Sequence, residues 1–227
     1  MILAAGFGKR MMPLTERTPK PLLPVAGKPL IVYHIERLAQ AGVREIVVNV
    51  SHLGQQIVDY CGDGTRFGVD IFYSREESPL ETAGGIAKAL PLLTAGEGNE
   101  IFLSVNGDIW TDFDFSHLLA RNLAPNLAHL VMVNNPLHNL NGDFFLSEDG
   151  VLLSAGEQKL TYSGIALLSR ELFDRYQLFH GPLAPLLRRA MDDRLVTGEH
   201  HPGAWHDIGT PERLEEVSRM VSGKRHP

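Results

Sequence analysis

Residues 1–30, MILAAGFGKRMMPLTERTPKPLLPVAGKPL, decide how the chain is read. Met1 to Ala5 form an unbroken run of small and apolar residues, the pattern of a short buried strand. The run breaks at Gly6-Phe7-Gly8. Two glycines after a strand bring backbone N–H groups close to an anion or a base. Arg10 adds a planar bidentate donor. Lys20 stands between Pro19 and Pro21, a setting that neither a helix interior nor a central strand tolerates. Its ammonium is therefore presented from a stiff loop. Exposed amides with two placed cations suit a polyphosphate; the plainer alternative is a surface turn with solvated charges.

The glycines do not complete a dinucleotide fingerprint. Its third glycine would fall at Met11, a proline-rich loop follows instead of a helix, and the second strand runs into Asn49 and Ser51 with no ribose-binding acid. No G-x-x-x-x-G-K-[ST] motif occurs either, which excludes a P-loop.

Moving outward, apolar runs alternate with helical patterns. PLIVYHIERLAQAG predicts a helix with Pro29 in its first turn and Gly42 as its stop. EIVVNV predicts a strand, LGQQIVDYCG a helix, VDIFYS a strand, TAGGIAKALPLL a helix up to Pro91, and IFLSVNGD a strand ending in a turn. HLVMVNN continues as apolar core. GDFFLSEDGVLLSA reads as a hairpin turning at Asp149-Gly150, and LTYSGIALLS as one more strand. Helices around 170–176 and 182–192, a strand pair near 195–207 and a helix over about 211–222 complete the order. The alternation implies an α/β protein, a three-layer α/β/α sandwich around a mostly parallel sheet. At 227 residues a single domain is expected, with no repeat or linker. In such sheets ligands bind beyond the carboxyl ends of the strands. Gly6, Asn106-Gly107-Asp108 and the segment before Thr82 are therefore expected on one rim.

Hydrophobic content of 44% and charged content of 21% are ordinary for a globular chain. The net charge of −6 and the lack of a Lys/Arg stripe argue against a nucleic-acid surface, while leaving room for a small anionic ligand. The single cysteine, Cys61, excludes an internal disulfide. No apolar run has the length to span a bilayer, and the N-terminus lacks a basic start, so no membrane partner and a cytoplasmic location are expected.

VNGD holds Asp108 on a glycine turn past a core strand. WHDIGTPERL puts Asp207 at a strand end before a helix with Thr210 as cap and Pro211 at its first position. Two carboxylates from distant strand ends suit Mg²⁺, which takes one or two carboxylates with phosphate oxygens and water; the alternative makes them ordinary loop residues. His200, His201 and His206 do not make a zinc site, because adjacent strand residues point to opposite faces.

The composite LAAGFGKRMMPLTERTPKPLLPVAGKP resembles the signature of the sugar-1-phosphate nucleotidyltransferases, with its G-x-G-x-R, P-L-T and P-K-P-L parts in order. The likeness continues through PLETAGGI, VNGD, LTYSGI and WHDIGTPERL, and so covers nearly the whole chain. The combination of LGQQI, GDGTRFG, NGDIWTDFDF, GDF and LAPLLRRAM is most similar to a uridylyltransferase branch of that family.

The resemblance implies a Rossmann-like, GT-A-like fold with a small antiparallel sugar-binding part. It divides the single domain into a nucleotide-binding half, about 1–112, and a sugar-binding half, about 113–227. It further implies that Leu3, Ala4, Ala5 and Gly6 line base and ribose, and that Gly8, Lys9 and Arg10 wrap the β- and γ-phosphates. Lys20 would face the α-phosphate and the incoming sugar phosphate. Glu76 would accept the uracil N3–H, Thr82 and Gly84 would admit the ring, and Asn106 would stand near the ribose. Asp108 and Asp207 would be the Mg²⁺ ligands, with Arg10, Lys20 and Asp108 as the catalytic set. Gly142, Glu157, Ser163 and Gly164 would contact the sugar. The implied partners are a nucleoside triphosphate and a sugar 1-phosphate; oligomeric state is not legible.

Two departures stand out. GEQKLTYSG lacks the family's Glu-Lys-Pro, which leaves the role of Lys159 open. The chain also begins about two residues earlier in its first strand than family members usually do, and whether the native N-terminus is longer is left open. Rival readings are glucose 1-phosphate with UTP or dTTP, mannose 1-phosphate with GTP, and a non-catalytic regulatory homologue. The last should have lost the metal aspartates or loop cations, all of which are present.

Overall fold

The computed structural model describes residues 1–78, 80–95, 100–177 and 180–223. It begins with β1 (Ile2–Leu3), the short hairpin of β2 (Pro24–Val25) and β3 (Lys28–Pro29), α1 (Leu30–Gln40), β4 (Glu45–Val50), α2 (Gly54–Cys61), β5 (Asp70–Arg75) and α3 (Glu81–Leu93). Next come β6 (Ile101–Asn106), β7 (Ile109–Thr111), α4 (Ser116–Leu119), β8 (Ala128–Val133), β9 (Phe144–Leu146), β10 (Leu152–Leu153) and β11 (Lys159–Ser169). The chain ends with α5 (Arg170–Tyr176), α6 (Leu183–Asp192), β12 (Val196–His201), β13 (Trp205–Asp207) and α7 (Pro211–Gly223). Among the described residues no helix is long and apolar enough to cross a membrane.

The chain divides into two compact units, the first made of Met1–Pro79, Asn106–Ser116 and Ala204–Pro227, the second of Leu80–Val105 and His117–Gly203. In the first unit β1, β4 and β5 run parallel, with Leu3 opposite Asn49 and Asn49 opposite Ser74. β4 is buried from Ile46 to Val50, as the largely apolar EIVVNV run requires of a strand covered on both faces. β13 pairs antiparallel with β7, placing Asp207 opposite Ile109. A core of Met11, Leu23, Val25, Tyr33, Trp110, Leu214 and neighbours ties the N-terminal loop to α1, β7 and α7. Met11 is fully buried beside exposed Arg10, so the cation-bearing loop is anchored by its apolar residues.

In the second unit β11 is antiparallel to β6, β8 and β9, while β12 runs parallel to β8. The Asp149-Gly150 hairpin forms, with Leu152 opposite Leu146. Ser169 caps α5 by accepting the Leu172 N–H.

Four local expectations change. The helix of TAGGIAKALPLL continues past Pro91 to Leu93: Pro91 gives up only its own N–H bond, and the Thr94 N–H still closes the last turn on the Leu90 carbonyl at 2.9 Å. The strands near 195–207 do not pair with each other: β12 joins β8 and β13 joins β7, since Pro202-Gly203 separates segments of different units. Ser163-Gly164 is not a turn but a register shift inside the continuous strand β11. The loop before α1 closes as a hairpin, with φ of 50° at Ala26 and 79° at Gly27 suiting a two-residue turn.

Candidate functional site

The site is built first at the carboxyl ends of β1 and β4. β1 ends at Leu3, and the next amide, Ala4 N–H, donates to the Asn49 carboxamide at 2.8 Å. Asn49 in turn donates to Glu76 Oε1 at 2.7 Å. Ala4, Asn49 and Glu76 are all buried. Beyond them the chain turns outward. Gly6 and Phe7 are exposed, and the Phe7 ring lies 5.2 Å from that of His52.

Gly6 has open space where a side chain would begin. Gly8 does not: its φ is 62°, and a Cβ there would stand 2.8 Å from Thr15 Cγ2. Buried Thr15 closes the loop from the other side by donating its hydroxyl to the Gly8 carbonyl at 2.9 Å. One-turn helices over Lys9–Met11, Leu14–Glu16 and Lys20–Leu22 complete this segment. Lys9 and Arg10 are exposed on it.

Lys20 is 8% exposed. Pro19 holds an extended backbone (φ −62°, ψ 142°) before it, and Pro21 follows in the same helical turn. The ammonium makes an ion pair with Asp108 Oδ2 at 2.7 Å. Asp108 arrives there through Gly107, whose N–H donates to the Leu3 carbonyl at 2.8 Å; a Cβ at 107 would approach that oxygen to 2.6 Å. Only glycine permits that approach to the β1 backbone. Asn106 is half-buried just before it.

Asp207 reaches the same part of the first unit through the β7–β13 ladder, and the Ile208 N–H donates to the Asp108 carbonyl at 2.9 Å. Its carboxylate pairs with Arg213, on the first turn of α7, at 2.5 Å. Two hard carboxylates from adjoining strand ends are a donor set that fits Mg²⁺ and would need phosphate or water oxygens to complete it. Among the described residues no group of three or more His, Cys, Asp and Glu could hold a metal by itself. His34 of α1, close enough to feel the Asp108 charge, is 1% exposed, its ring nitrogens without a hydrogen-bond partner of ordinary geometry. Burial pushes its pKa down to about 4, opposed in part by the Ile109 backbone and the Asp108 charge.

The remaining expected residues belong to the second unit. Thr82, half-buried, and Gly84, buried, lie in the first turn of α3. Gly142 closes a turn on the Asn139 carbonyl at 3.1 Å. The neighbouring Asp143 accepts the Tyr162 N–H at 2.8 Å and the Asn139 amide at 3.2 Å, while Thr161 donates to Asn135 at 2.8 Å. Ser163 is buried, and its hydroxyl accepts the Ile165 N–H at 3.1 Å. Glu157 is exposed between β10 and β11. A separate cavity of about 660 Å³ in the first unit, lined by Lys28, Glu36, Arg37 and Asp112 among others, contains none of the expected site residues.

Lys20 and Asp108 stand out in the sequence, whereas Asn49, Arg213 and His34 acquire their partners and surroundings only in the fold. The only local signal for Asn49 was a polar residue in an otherwise apolar strand, and for Arg213 its place in the first turn after Thr210.

Residues 1–139 match the nucleotidyl transferase family. Over 228 residues the chain is 50% identical to N-acetylmuramate alpha-1-phosphate uridylyltransferase of Neisseria meningitidis serogroup B, with 97% of each chain covered. It is 32% identical over 222 residues to the mannose-1-phosphate guanylyltransferase catalytic subunit beta of Dictyostelium discoideum, covering 93% of this chain and 61% of that one. Among solved structures, HddC from Yersinia pseudotuberculosis, complexed with GMP-PN, has a TM-score of 0.77 at 21% identity, with 97% of both chains covered. A Bacillus anthracis chain described as a glucose-1-phosphate thymidylyltransferase has a TM-score of 0.86 at 18% identity, covering 100% of this chain and 96% of that one. At such identities the structural likeness shows the fold alone, an α/β Rossmann-like fold. The family match and the full-length relative together show that the chain belongs to the nucleotidyl transferase family, among the sugar-1-phosphate nucleotidyltransferases.

Proposed function

We propose that the chain transfers a uridylyl group from UTP to N-acetylmuramic acid α-1-phosphate, yielding UDP-N-acetylmuramic acid and pyrophosphate in the recycling of cell-wall sugars. The observation that carries this reading is the 50% identity to an N-acetylmuramate alpha-1-phosphate uridylyltransferase across 97% of both chains. The Lys20–Asp108 pair supports it chemically, because it sets a cation beside a carboxylate suited to Mg²⁺.

A phosphate oxygen of the sugar phosphate attacks the α-phosphorus in line, and pyrophosphate leaves. A phosphate monoester has its second pKa near ~6, so the nucleophile is already anionic near neutrality and needs no general base. The barrier to lower is the mutual repulsion of two polyanions, which positioning and placed charges overcome. Arg10 and Lys9, with the amides around Gly8, receive the departing β- and γ-phosphates. Lys20 neutralises the reacting centre. Asp108 and Asp207 would hold Mg²⁺, which when bound supplies charge neutralisation at the α-phosphate. Leu3 to Gly6, Glu76, Thr82, Gly84 and Asn106 take the nucleoside, and Gly142, Glu157, Ser163 and Gly164 take the sugar. The chain works as one nucleotidyltransferase domain with a nucleotide half and a sugar half. Its dependence on nucleoside triphosphate assigns it to the cytoplasm.

Pyrophosphate release across a panel of sugar 1-phosphates and nucleoside triphosphates tests the proposal. The expected preferred pair is UTP with N-acetylmuramic acid α-1-phosphate. Faster turnover of glucose 1-phosphate with UTP or dTTP, or of mannose 1-phosphate with GTP, would overturn the substrate assignment. Release with no pair would make the protein a non-catalytic homologue.

A further inference from the structure

Three segments of the first unit meet at one side chain. Asn49 is the second-last residue of β4 and lies opposite Leu3 of β1. It takes the Ala4 N–H on its oxygen at 2.8 Å and gives an N–H to Glu76 Oε1 at 2.7 Å. Asn49 is 3% exposed and Glu76 6%. The Glu76 backbone is fixed independently, its N–H donating to the Val50 carbonyl at 2.8 Å.

The first bond dictates the sense of the second. A carboxamide turned over would set its NH₂ against the Ala4 N–H and its oxygen against the Glu76 carboxylate, two repulsive contacts in a buried setting. The donor of Asn49 is therefore aimed at Glu76 in one orientation only. An ionised carboxylate offers acceptors only. With about four lone-pair sites it can accept from a further donor.

We propose that Asn49 is a positioning residue that holds Glu76 as an acceptor-only reader of the nucleobase, favouring a base with a ring N–H, such as uracil, over one with a bare ring nitrogen, such as cytosine. This rests on the reading of Glu76 as a base contact given above. Asn49 never touches the base; it sets what Glu76 can offer.

Calorimetric titration of the whole chain with UTP and with CTP tests this without any sugar phosphate, on the wild type, Glu76→Gln and Asn49→Asp. Aspartate keeps an acceptor for Ala4 but sets a second carboxylate against Glu76. Two carboxylates in such contact share a proton, and Glu76 becomes a donor in part of the population. The UTP-over-CTP preference is expected to fall by about tenfold or more in both variants. In Asn49→Asp it should recover as pH rises and the shared proton is lost, which a purely structural defect would not do. If Glu76→Gln lowers the preference while Asn49→Asp stays within about threefold of wild type, the role of Asn49 is overturned and the reading of Glu76 stands. If Asn49→Asp lowers it and Glu76→Gln does not, the route through Glu76 is overturned. An unchanged preference in both variants removes both assignments. Should Asn49→Asp not fold, Asn49→Ser is read on the same ratio: its hydroxyl, one bond shorter than the carboxamide, no longer donates to Glu76, and the same fall is expected.

Discussion

Lys20 Nζ lies 2.7 Å from Asp108 Oδ2, an ion pair that joins residues 88 positions apart. The lysine is 8% exposed, so its charge is held by the pair more than by water. Asp108→Asn is expected to lower turnover by roughly 10²-fold or more while the chain stays folded. Near-normal kcat with unchanged Mg²⁺ dependence would remove Asp108 from the metal site. Lys20→Ala should lower kcat/KM by more than about tenfold, and a loss below about threefold would make Lys20 scaffold. The double variant separates two roles. If Lys20 only orients Asp108, the double variant is no worse than Asp108→Asn; if Lys20 also meets the phosphates, it is worse.

Gly6 and Gly8 are expected to answer to different measurements. Gly8→Ala forces a side chain into φ 62° and against Thr15 at 2.8 Å, so the melting temperature should fall, with a cost of about 1–3 kcal/mol. Gly6 meets nothing within 4 Å and has no left-handed φ. Gly6→Ala should leave stability within about 0.5 kcal/mol and weaken UTP binding, because the methyl group fills space proposed for the nucleotide. An unchanged UTP affinity in a stable Gly6→Ala protein would assign that space to solvent.

Local chemistry made much of this legible. EIVVNV forms its strand over the expected residues because a run buried on both faces has few alternatives. The prolines beside Lys20 fix its backbone in any context, and Asp149-Gly150 closes its hairpin by turn geometry alone. What escaped the sequence depends on partners far along the chain. Asn49 acquires meaning only when Ala4, 45 positions away, and Glu76, 27 positions away, arrive beside it. The same holds for β12 and β13, neighbours in sequence whose pairing partners, β8 and β7, no local pattern specifies. Arg213 reads as a solvated helix charge until the first turn of α7 brings it against Asp207.

His34 should make stability fall in mild acid. It is buried on α1, and desolvation pushes its pKa down to about 4 from the ordinary 6.5. Between those values the unfolded chain binds a proton that the folded chain refuses, so unfolding gains as pH drops. The contribution is fully present above about pH 6.5 and lost progressively toward pH 4. The shift corresponds to about 3 kcal/mol in total and about 2 kcal/mol between pH 7 and pH 5. Urea unfolding of wild type and His34→Leu at both pH values isolates it, because the acidic residues titrate in both proteins. The variant should lose less stability than wild type on going from pH 7 to pH 5. Equal losses would mean that His34 takes up its proton in the folded chain, with the Asp108 charge and the Ile109 backbone outweighing burial.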